Sequence, residues 1–141
     1  MKLEIAQKIV AAALASGRSH SFKPLGVAVL DARGALKAFA AEDGTSLRRA
    51  EIAIGKAHGS LAMGLGSRAL AKMAAERPFF VAAVTHAVGG SLIPVPGGVL
   101  IKDAAGALLG AVGVSGDTSD NDEVAALAGI EAAGLKGDTG A

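Results

Sequence analysis

The chain has 141 residues, of which 51% are hydrophobic and 19% charged, with a formal net charge of +1. That balance excludes disorder over most of the length, and basic residues scattered without a stripe argue against a nucleic-acid binder. The absence of cysteine excludes disulfides, thiolate metal sites and a thiol nucleophile.

Taken in order, Leu3, Ala6, Ile9, Val10, Ala13 and Leu14 recur at helical spacing, which predicts a first helix over 2–17 ending at Gly17. Its charged start has no signal-peptide core, no apolar run reaches membrane-spanning length, and a cytoplasmic protein is expected. Leu25 to Asp31 alternates, Asp31 to Gly34 reads as a turn, and Ala35 to Phe39 runs back, which predicts a β-hairpin. Asp43-Gly44 punctuates the chain, with Thr45 or Ser46 as cap of a second helix. That helix carries Leu47, Ala50, Ile54, Ala57 and Leu61 on the stripe expected to cover a sheet. Gly64 and Gly66 break it, and Ser67 starts a short third helix to about Glu76.

Phe79 to Val88, after Pro78, reads as helix or loop. Ser91 to Pro96 and Val99 to Lys102 flank Gly97-Gly98, a second hairpin signal, and Leu108 to Ser115 is the fifth strand. A last helix spans 119–134, with Ser119 and Asp122 at capping-box spacing. Residues 1–135 then form one domain and 136–141 a flexible tail. Hairpins without β-helix-β alternation predict an α+β fold, an antiparallel five-stranded sheet with flanking helices. With four Phe, no Trp or Tyr and 20 glycines, so small a domain cannot cover its apolar surface. A symmetric homo-oligomer with an even subunit number is expected, with Ile52 at a contact.

Few residues carry chemistry. Gly110-x-x-Gly113-x-x-Gly116 has neither dinucleotide nor P-loop spacing, and Gly113-Val-Ser115-Gly-Asp117 misses the nucleophile elbow at its last position. The join of strand to helix at Ser115 and Gly116 serves either close packing or, through unpaired N–H groups, an anion. His20, His58 and His86 lack the spacing of a metal pair, but haem needs only one protein donor. His86 is best placed as that donor, in an apolar segment just ahead of Gly89 and Gly90. His58 lies at the edge of the second helix's stripe, and His20 sits between two serines. Lys56 falls on the polar side of its helix with Arg48 and Arg49. It is either a solvated cation or half of an anion clamp with Arg49. Asp120, Asp122 and Glu123 suit a helix start.

Several short motifs, in order, resemble the GlcG/HbpS-type haem-degrading domain family. They are Val27-x-Val29-x-Asp31-x-x-Gly34, Asp43-Gly44, Ala53-x-x-Lys56-Ala57, Gly89-Gly90-x-x-Ile93-Pro94, Gly110-Ala-x-Gly-Val-Ser-Gly116 and Asp122. The resemblance implies a profilin/PAS-like sheet, an oligomer and a haem- or tetrapyrrole-binding accessory protein that assists haem breakdown. One histidine would ligate the iron, with propionates on Arg49, Lys56 or the backbone at Gly116, beside Ser115, Gly89 and Gly90. The alternatives are a cofactor-free enzyme of small carboxylate or aromatic catabolism and a non-catalytic scaffold. In the enzyme, His86 or His58 would be general base in a pocket between subunits.

Overall fold

The computed structural model describes residues 1–141, ordered as α1 (Leu3–Ser19), β1 (Gly26–Asp31), β2 (Leu36–Ala41), α2 (Arg49–Met63), α3 (Ser67–Glu76), α4 (Pro78–Ala87), β3 (Gly98–Lys102), β4 (Leu108–Ser115), α5 (Ser119–Ala132) and β5 (Lys136–Asp138). The strands form one antiparallel sheet in the order β2-β1-β4-β3-β5. The fold class is α+β, as the hairpin pattern predicts.

Alternation along the strands sorts side chains onto two faces. Val27, Val29, Val99, Ile101, Val112 and Val114 meet Ile9 and Ala13 of α1 and Ala126 and Ile130 of α5 in a cluster of 14 buried residues. Leu30, Leu100 and Ala111 turn the other way, onto Ala57 of α2, in a cluster of 4. Each fully buried Val, Leu or Ile contributes about 1.5–3 kcal/mol. The α1/α5 face therefore supplies most of the hydrophobic stabilisation, and the α2 face is free for polar groups.

The inner face of α2 differs from the expected stripe. Leu47 is 87% exposed and precedes the helix, whereas Ala53, Lys56, Ala57 and Ser60 are buried against the sheet. The reason is close approach: a Cβ at Gly113 on β4 would collide with the carbonyl oxygen of Ala53. The backbones approach too closely at Ala53 for a larger side chain there, and Ile52 and Ile54 lie half-buried on the side away from it. Gly17, expected to end α1, lies inside it, packed against Leu25.

Two further expectations are corrected. Ser91 to Pro96 is not a strand. Pro94 and Pro96 remove donors a ladder needs, and the segment packs on α2 instead, where Ile93 N donates to Gly55 O at 3.1 Å. The fifth strand is Lys136–Asp138, from the expected flexible tail. It pairs with β3, held by Lys102 Nζ at 2.6 Å from Asp138 Oδ2. The ambiguous segment after Pro78 is helix α4, which buries only Val81 and leaves Phe79 91% exposed.

Candidate functional site

The polar centre of the molecule is an ion pair that sequence reading did not find. Lys56, expected on a solvated face, has a side chain only 2% exposed, and its Nζ lies 3.0 Å from Asp122 Oδ2 and 2.9 Å from Val114 O. The side chain leaves α2, passes the start of β3 and ends on α5. It has room because residues 97 and 98 are glycines: a Cβ at Gly97 would sit 2.9 Å from Nζ and 3.0 Å from Cδ. Gly97-Gly98, read as a hairpin turn, is thus the passage for this lysine. Burial pushes the Lys56 amine below its ordinary range and the Asp122 carboxyl above its own, and each partner's charge opposes the shift. Two buried charges that satisfy each other hold elements together. Nζ is buried and bonded to two acceptors within the chain, which sets Lys56 apart from a cation exposed to a ligand. The signal for this was its setting among Ala53, Ala57 and Ser60, all small, on one face.

The start of α5 is closed as well. Asp122 Oδ1 accepts from Asp117 N at 2.9 Å, Thr118 Oγ1 from Asn121 N at 3.2 Å, and Asp117 Oδ1 from Thr118 N at 2.7 Å. The cap is Thr118 rather than Ser119, and the N–H groups of Asp117, Thr118 and Asn121 at this join are bonded within the chain. Gly116 supplies shape, since a Cβ there would strike the Pro24 carbonyl. The Asp117 carboxyl, also accepting from Lys23 N at 2.7 Å, is held well below its ordinary value, at about 2, chiefly by those N–H donors.

These bonds tie the segment after α1 to one end of the sheet, where Gly26 sits beside Ser115 and Ala41 in register. Arg49, at the start of α2, faces the same end. Its Nε donates to Ser46 Oγ at 2.9 Å and its Nη1 to buried Ser115 Oγ at 3.0 Å. Together with Lys23, Thr45 and Gly116 it lines a polar cleft of about 200 Å3. A second, wider cleft of about 440 Å3 lies between α2 and the loop after α4, lined by Ile52, Ile54, Gly55, Gly89, Gly90 and Ser91 among others. Gly89 and Gly90, with φ of 85° and 90°, make the turn that closes that loop.

The three histidines divide between these regions. His86 is exposed on the last turn of α4. His58 is half-buried, its Nδ1 2.7 Å from Ser91 O, and its ring lies against the turn at Gly34. It sits about 14 Å along α2 from Arg49, at 1.5 Å per residue. His20, the C-cap of α1, is exposed. Its Nδ1 is 2.8 Å from Ser16 O and its ring stacks on Phe22 with centroids 5.1 Å apart. A carbonyl only accepts, so Nδ1 carries a proton and donates to it. The structure thus brings Lys23, Arg49, Ser115 and Gly116 together, with His20 on the turn that leads into Lys23, and leaves His58, His86, Gly89 and Gly90 elsewhere.

The sequence matches the family described as haem degrading protein HbpS-like over residues 1–131. Among solved structures, the fold is similar to the PduOC–haem complex, with 21% identity, a TM-score of 0.85 and 96% of each chain covered. It is similar to HbpS at 28% identity and a TM-score of 0.79, over 93% of this chain and 88% of that one. A Streptomyces reticuli HbpS double mutant gives 27% and 0.78, over 93% and 85%. No curated protein matches in sequence.

Proposed function

The chain belongs to the family of HbpS-like haem-degrading proteins, and from that premise we propose that it binds haem through His20 and presents it for breakdown. The observation that carries the reading is the exposed His20 ring, oriented by Ser16 O and Phe22, on the turn three residues before Lys23 of the cationic cleft. A backbone carbonyl on one ring nitrogen is the arrangement that sets tautomer and ligand strength at the other. Lys23 and Arg49, at the same end, are the cations for the propionates, and Gly116 leaves the space. His86, the histidine favoured by sequence, lacks a bond to orient its ring. When bound, haem supplies an iron whose ligand and redox chemistry depend on its axial donor and surroundings. The chain's own part is to donate Nε2, to hold that ring still and to neutralise the carboxylates.

Haem titrated into the pure protein is expected to give a Soret shift that saturates at one haem per chain. His20→Ala should weaken binding by at least about tenfold, with His58→Ala and His86→Ala close to wild type. A featureless, non-saturating spectrum, or full binding by His20→Ala, would contradict the proposal.

A further inference from the structure

Arg49 stands apart from the other arginines. Arg18 is 2.7 Å from Glu42, Arg33 is 3.2 Å from Asp31, and Arg48 is 2.7 Å from Glu51. Arg68 pairs with Asp120 and Glu123, and Arg77 lies over the Phe80 ring. Arg49 alone is answered only by the hydroxyls of Ser46 and Ser115. They fix the direction of the half-buried guanidinium and neutralise none of its charge. Three nearby acids are engaged elsewhere, Glu42 by Arg18 and Leu25 N, Asp117 by Lys23 N and Asn121, and Asp122 by Lys56, while exposed Asp43 makes no ion pair with Arg49.

Of the guanidinium's N–H donors, those on Nε and one on Nη1 are used, which leaves both on Nη2 and the second on Nη1. That pair of neighbouring nitrogens matches the two oxygens of a carboxylate. The cleft they line holds only about 200 Å3, walled by Lys23, Thr45, Ser46, the Pro24 ring and two glycines. It therefore suits an acid of a few heavy atoms and rejects a long apolar tail. Lys23 brings a second positive charge, and the hydroxyl hydrogen of Ser46, whose oxygen accepts from Arg49, is free to donate.

We propose that the Arg49 cleft is a binding site for a small carboxylate, gripped by the free Nη donors with Lys23 and Ser46 beside them. The site deepens the haem reading, in which the same donors take a propionate, but it needs no iron. Its occupant in the haem-free protein is a free carboxylate of the same chemistry.

Sodium acetate, titrated into the haem-free protein against sodium chloride at matched ionic strength and followed by amide chemical shifts, tests this. Saturable shifts at Ser46, Arg49 and Gly116 are expected. Arg49→Ala should weaken them at least about tenfold, and Arg49→Lys, which keeps the charge without the fork, should fall between. Non-saturating drift, or unchanged affinity in folded Arg49→Ala, would overturn the site. Acetate should also compete with haem and not with haem dimethyl ester, and equal competition against both would overturn the shared donors. If haem binds while acetate does not, this inference falls alone. If acetate saturates while haem does not bind, the haem reading falls alone.

Discussion

Arg49 and Lys56 stand seven residues apart on α2, both on its sheet-facing side, and the fold treats them in opposite ways. Lys56 is buried, bonded to Asp122 and Val114 O, and enclosed by Gly97 and Gly98. Arg49 is half-buried, held only by hydroxyls, and faces a cleft. The difference separates a cation that joins elements from one that is available to a ligand. Charge and position in the sequence are shared; the presence of a carboxylate on the facing element decides between them.

The comparison breaks most visibly in stability. Lys56→Ala leaves the Asp122 carboxylate buried without its partner, and a loss of about 3–5 kcal/mol is expected in urea denaturation. Arg49→Ala should cost less, about 1–3 kcal/mol, the penalty of leaving the buried Ser115 hydroxyl without its donor rather than a buried charge without its partner. Equal losses would mean that Arg49 too is a structural cation. On the outward side of α2, Ile52→Asp is expected to leave folding nearly intact while lowering the mass seen in sedimentation, by burying an unpaired charge at a subunit contact. A wild-type protein that sediments as a monomer at micromolar concentration would contradict the even-numbered oligomer behind that expectation.

The smallest effect is confined to acid. Asp117 has a folded-state pKa of about 2, below its ordinary 3.8. Its charged form therefore stabilises the fold above about pH 4, and the contribution is lost as pH falls toward 2. Asp117→Asn should flatten the fall in melting temperature across that window and leave the neutral region little changed. An unaltered acid limb would show that the clasp between α5 and the Lys23 segment is not held by charge.

The apolar elements were legible because period alone specifies them. Val27, Val29, Val112 and Val114 alternate, and Ile9 and Ala13 recur at helical spacing, so β1, β4 and α1 follow directly. What was not legible depended on contacts between distant segments. The inner face of α2 is set by Gly113 on another element, so the expected stripe holds at Ala57 and Leu61 but not at Leu47 and Ile54, where buried Ala53 and Lys56 take the face instead. Gly97-Gly98 carried an ordinary turn signal, and only the path of Lys56 gives those glycines their purpose. The lone status of Arg49 is likewise invisible in sequence, since it rests on which carboxylates other arginines have taken. The orientation of His20 is not written in its neighbours Ser19 and Ser21, because it comes from the Ser16 carbonyl one helical turn back.

The central claim is that ligand binding belongs to the end of the sheet holding His20 and Arg49. Paramagnetic broadening of backbone amides on addition of substoichiometric ferric haem reads the iron's position most directly. The account predicts broadening centred on Ser19 to Lys23, extending to Ser46, Arg49 and Gly116, with Gly34, Ser91 and Gly89 sharp. Broadening centred on Gly34 and Ser91, or on the last turn of α4 around His86, would contradict it.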